Sequence, residues 1–161
     1  MGGETALVRR QRPVRSGRAR GELLILDTTV VFDMIVPGPA TDGAVSLIDQ
    51  DEPLFAPDHL RCELAGALTR AVRRGDVEAD FARMALSGSE AILPILEPTA
   101  PLIDAAFALS LELRHPLYDC LFLAHAERRA TRLVTSDQRF IDKLQGTSHA
   151  RYITHTSRWR D

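Results

Sequence analysis

The chain has little cysteine and almost no lysine. Lys143 is the single lysine among 20 basic residues, and Cys62 and Cys120 are the two cysteines in 161 residues. With no CxxC pair there is no zinc-ribbon spacing and no dithiol redox motif, and two cysteines are too few for a disulfide scaffold. Each falls in a predicted helix, so both read as reduced packing residues of a cytoplasmic protein. No apolar run approaches the roughly 20 residues needed to cross a bilayer. The arginine-rich beginning lacks the apolar stretch of a secretory signal. What remains, 45% hydrophobic and 26% charged residues, is the composition of one globular domain with a real core.

Charge is unevenly spread. Residues 1–20 hold six arginines against Glu4, a net +5, which leaves −7 for the rest of a chain whose total is −2. The first twenty residues show no periodicity and read as a disordered basic extension. An acidic body that handles nucleic acid needs metal ions or a local basic rim to meet phosphate. The basic extension could help, although basic tails bind nucleic acid only sometimes. The remainder reads as one domain, 21–156, and a polar tail, 157–161, with Trp159 its apolar exception.

Along that domain, predicted strands alternate with predicted helices. Leu23–Leu26 is an unbroken apolar run that suits a strand buried on both faces, 22–27 in full. A helix follows to Val36 and stops at Pro37-Gly38-Pro39; a short one carries Val45, Leu47 and Ile48. Strand 54–56 leads to Pro57-Asp58, which opens the best helix. Its stripe is Leu60, Leu64, Ala67, Leu68, Ala71 and Val72, and Arg73-Arg74-Gly75 closes it. Further helices are expected at 78–86, 100–113, 116–130 and 137–144. Further strands are expected at 91–96, with Pro94 marking an edge or irregular element, at 133–135 and at 152–154. This alternation predicts a three-layer α/β/α sandwich on a mainly parallel sheet.

The informative carboxylates break these patterns. Asp27 ends the first strand, at the end where parallel sheets open a ligand crevice. Glu63 lies on or beside an apolar helix stripe, where it is desolvated unless paired or metal-bound. Asp119 interrupts Leu117-Tyr118-Asp119-Cys120-Leu121-Phe122 in the first turn of a buried helix. Asp137, after Leu133-Val134-Thr135-Ser136, repeats the geometry of Asp27. Each has a plainer reading, as turn residue, cap, snorkelling side chain or dipole partner. If all four converge, they repel one another and raise their own pKa values. Two Mg²⁺ or Mn²⁺ ions would relieve this, and metal pairs of that kind carry out in-line phosphoryl displacement.

The segments LLILDTTVV (23–31), APDHLRCELAGALTRAVRRG (56–75), HPLYDCLFLAHA (115–126) and LVTSDQRF (133–140) resemble, in that order, the PIN-domain ribonucleases, and among them the VapC toxins of bacterial toxin–antitoxin pairs. The resemblance implies that Asp27, Glu63, Asp119 and Asp137 form an acidic site for Mg²⁺ or Mn²⁺, with Thr28 and Thr135 beside it. It implies hydrolysis of RNA, tRNA or rRNA being the expected substrates, a homodimer, and inhibition by a cognate VapB-type antitoxin. The basic extension departs from the family's pattern, in which the chain begins almost at the first strand.

Other residues weigh less. The five histidines share no motif, and only His115, near Asp119, is placed to approach a substrate. Asp104 suits a helix first turn and Asp33 a solvated helix face. Two alternatives stay open. A phosphatase with Asp27 as nucleophile would need a second aspartate where Thr29 stands. A PIN-fold module that only binds RNA or protein would not need its acids intact.

Overall fold

A computed structural model describes residues 23–49 and 53–160, so the expected disorder of residues 1–20 lies outside the described residues. At its centre is β1 (Leu24–Leu26), the apolar run of the sequence, every residue of it buried. It is flanked by β2 (Leu54–Pro57) and β4 (Arg132–Thr135); β3 (Ile95–Glu97) and β5 (Ile153–His155) form the edges. The order is β3-β2-β1-β4-β5 and every pairing is parallel. The three-layer α/β/α sandwich expected from the alternation is therefore what the chain forms.

Alternation along the strands sends side chains to two cores. Leu24, Leu26 and Val134 face one side, where they meet Val30 of α1 (Thr28–Ile35), Ala44 of α2 (Thr41–Val45), Leu47 and Trp159. Ile25 and Leu133 face the other. There they pack with α3 (Leu60–Arg74), α5 (Ile103–Leu113), α6 (Leu117–Arg129) and α7 (Gln138–Leu144). Burying each such Leu, Ile or Phe side chain contributes roughly 1.5–3 kcal/mol. The remaining helix, α4 (Ala79–Gly88), buries no residue fully.

Local chemistry moves several boundaries from their predicted places. Pro94 has no N–H to give a ladder, so the strand expected over 91–96 becomes a 3-10 turn at Ser89–Ala91, and β3 starts after the proline. Pro57-Asp58 does not open α3. Pro57 stays in β2, and Asp58 accepts the Thr99 N–H at 3.0 Å instead of capping its own helix. Pro116 occupies the cap position of α6 rather than its first turn, and Ala100–Leu102 is a 3-10 turn ahead of α5. Gly75 ends α3 as expected, in the left-handed conformation at φ 78° that glycine adopts at least cost. One expectation fails outright: Cys62 is exposed rather than packed. Trp159, the apolar exception in the polar tail, is buried in the first core. Cys120 is buried as expected, and burial pushes its thiol up to about 12.

Candidate active site

The site is built at the carboxyl end of β1. Its register with β4 pairs Leu26 with Val134, and the Asp27 N–H donates to the Val134 carbonyl at 3.0 Å. Asp27 therefore lies beside Thr135, at the point where the chain leaves β1 one way along the sheet and β4 the other. Open α/β sheets bind ligands at such a point.

Asp27 caps α1 and is only 7% exposed. Its Oδ2 accepts hydrogen bonds from the Thr135 hydroxyl and, at 3.0 Å, from the Thr29 hydroxyl. Burial nevertheless pushes its pKa up to about 6; the threonine hydrogen bonds lower it, and repulsion from Asp119 adds to the rise. Glu63, in the first turn of α3, reaches the same end of the sheet. Its Oε2 accepts from the Thr28 hydroxyl at 2.8 Å. Burial, with Asp27 and Asp119 adding repulsion, raises it to about 7; Thr28 and Arg70 oppose the rise. Asp119 projects from the first turn of α6, one-third exposed. Burial and then Asp137 push it up to about 6.

Asp27, Glu63 and Asp119 thus feel one another directly, whereas Asp137 enters through Asp119. Asp137 also does what a plain capping residue does: its Oδ1 accepts the N–H groups of Arg139 at 2.9 Å and Phe140 at 3.2 Å. Its own N–H donates to the Thr135 hydroxyl at 3.0 Å, so Thr135 links Asp27 to Asp137. The quartet is brought to one end of the sheet, with Asp137 as its outer member.

Three further residues belong to the picture. The Thr29 hydroxyl lies 3.2 Å from that of Thr135 and accepts the Ser136 N–H at 3.1 Å. In the sequence it stood out only as the place where a second acid is missing. His115 stacks flat on Phe140, with ring centroids 4.2 Å apart, and its Nε2 lies 2.8 Å from Asp119 Oδ2, out of line for a hydrogen bond. Burial lowers its pKa. His59 Nε2 lies 3.7 Å from Glu63 Oε2. The remaining histidines have structural partners: His125 bonds Glu97 at 2.6 Å, and His149 lies between Glu112 and Glu127. Asp104 is exposed on α5, away from the quartet's network, while Asp33, expected to be solvated, has a buried Oδ2.

Hard oxygen donors and mutual repulsion fit a divalent cation in donor type and in charge. Among the described residues, however, no three acidic, histidine or cysteine side chains converge tightly enough to form a ready-made cation cage. Two cavities among the described residues, of about 330 and 410 Å³, lie elsewhere, around Arg61 and Pro94 and around Glu97 and Arg129.

Comparison with known proteins agrees with this architecture. Ribonuclease VapC3 of Pyrobaculum aerophilum is 27% identical over 123 residues, which are 75% of this chain and 94% of that protein. The crystal structure of PAE2754 from the same organism superposes with a TM-score of 0.59 at 19% identity, covering 84% of each chain, and so shares the fold. The family model of the PIN domain matches residues 24–144, from the first residue of β1 to the last of α7, and the chain belongs to the PIN domain family.

Proposed function

We propose that the chain is a Mg²⁺- or Mn²⁺-dependent endoribonuclease and the toxin of a toxin–antitoxin pair. The observation that carries this reading is the meeting of Asp27, Glu63 and Asp119, each raised well above an ordinary carboxylate, at the switch point of the sheet. The name of the Pyrobaculum aerophilum relative, a ribonuclease, supports it.

Asp27, Glu63, Asp119 and Asp137 are the residues that would hold the cations. A bound cation pair there would polarise an attacking water and neutralise the leaving oxygen, giving a 5′-phosphate and a 3′-hydroxyl. The chain's own part is to position its acids. Thr135 and Thr29 hold Asp27, Thr28 holds Glu63, and the cap of α7 fixes Asp137. The positive end of α6 favours the anion at Asp119. The substrate would be tRNA or rRNA in the cytoplasm, and a VapB-type antitoxin would inhibit. A homodimer would have a surface to use in Ile103, Phe107 and Leu111, an exposed row at i, i+4 and i+8 on α5. Light scattering of the purified chain tests that assembly.

The test of the activity is cleavage of a mixed tRNA and rRNA pool with Mg²⁺, Mn²⁺ or EDTA, beside Asp119→Asn. Fragments that need metal and vanish in the variant are expected. Cleavage in EDTA, or by the variant at full rate, rules the mechanism out. A second reading, a PIN fold that binds without cutting, draws on the lack of a ready-made cation cage among the described residues. Calorimetric titration with Mg²⁺ separates the two, since a binding scaffold need not take up the ion.

A further inference from the structure

An acidic site repels the substrate it is proposed to cut, so part of the grip on RNA must come from contacts other than charge. Single-stranded nucleic acid offers one that acids do not oppose, the flat face of an unpaired base. Among the described residues two aromatic side chains are prominently exposed, Phe107 and Tyr118. Phe107 belongs to the apolar row on α5. Tyr118, 59% exposed, directly precedes Asp119 in the first turn of α6.

The tyrosine ring is backed by fixed structure. The His59 ring lies 5.9 Å from it, tilted by 32°, and is itself packed 4.7 Å from the ring of Phe122. His59 Nδ1 is 3.3 Å from the Thr99 hydroxyl, and Asp58 ties down that same threonine. His59 also sits 3.7 Å from Glu63, so this aromatic wall joins two acids of the site. Ordinary packing does not require a large apolar ring to stand in solvent here; Phe122, one turn further along α6, is fully buried.

We propose that Tyr118 is a stacking platform for an unpaired base next to the scissile phosphate, and so a specificity-determining residue of this site. This rests on the ribonuclease reading. Stacking tolerates any base, so Tyr118 selects for strandedness and leaves sequence choice to other surfaces.

The probe is a random-sequence pool of single-stranded RNA 12-mers, each carrying one 2-aminopurine, and the same pool annealed to its complement. Binding is measured with Mg²⁺ on an Asp119→Asn background, and cleavage on the native background. Quenching of the fluorescent base and preference for the single strand are expected. Tyr118→Phe should keep both. Tyr118→Ala and Tyr118→Leu should lose the quenching, weaken binding by about tenfold and raise KM with little change in kcat. Quenching and KM unchanged in Tyr118→Ala overturn the stacking role while leaving the nuclease standing. Equal cleavage of duplex does the same. No metal-dependent cleavage by the native chain overturns the nuclease reading, and this inference with it. A variant of native activity that no longer binds a partner protein would assign the ring to protein recognition instead.

Discussion

Replacing Asp27 by asparagine should separate stability from activity. Its folded pKa of about 6 exceeds the ordinary 3.8, so the folded chain holds that proton more tightly than the unfolded chain. The sign follows: without metal, this residue's contribution falls as pH rises from about 4 through about 6, and stays low above that. Asp27→Asn should match the parent near pH 4. It should be more stable by on the order of 2–3 kcal/mol at pH 7.5, with no nuclease activity. Urea unfolding at the two pH values checks this, and equal stabilities at pH 7.5 would show that the carboxylate is not destabilised. Thr135→Val removes a donor to the same oxygen and the link to Asp137. It should lower kcat/KM by about tenfold, the worth of one charge-assisted hydrogen bond, and Thr135→Ser should restore most of it. Glu63 and Asp119 were legible in the sequence because each breaks an apolar pattern, and Asp27 and Asp137 because each follows a predicted strand. Thr29 was not, since its partner Thr135 lies 106 residues away and a threonine after a strand carries no signal of its own. His115 was singled out by proximity in sequence to Asp119, and the structure brings the two side chains within 2.8 Å.

Elements were legible where periodicity is strong and misplaced where single backbone groups decide. α3 shows its buried face as Leu60, Leu64, Leu68 and Ala71, four of the six stripe residues expected. β3 was set to start four residues too early because the apolar run from Ala91 says nothing about the ladder hydrogen bond Pro94 cannot make. The packing of Trp159 was not legible for a related reason: one tryptophan among polar residues has no period to read. Its partners, Leu24, Leu26 and Val134, come from distant strands. Trp159→Ala should therefore cost about 3–5 kcal/mol, as large core truncations do. A chain cut after residue 156 should melt well below the full one. A truncated chain of unchanged melting temperature would show that the tail is dispensable.

For the whole molecule, metal and proton compete for the same carboxylates, so Mg²⁺ should stabilise the fold more at pH 8 than at pH 5. At a hundredfold excess over Kd the gain is about 2.7 kcal/mol, read as a rise in melting temperature that Asp119→Asn should largely abolish. An unchanged melting temperature at pH 8 would speak for the binding-only scaffold. The central strand also sets a schedule. Asp27 is made before its partner Thr135, which follows 108 residues later, and before Asp137, which comes later still. A nascent chain on the ribosome holds only part of its carboxylate set until β4 has emerged and zipped against β1. A nuclease of the proposed kind would therefore have an incomplete carboxylate set, and no activity, until this last strand pairing is made.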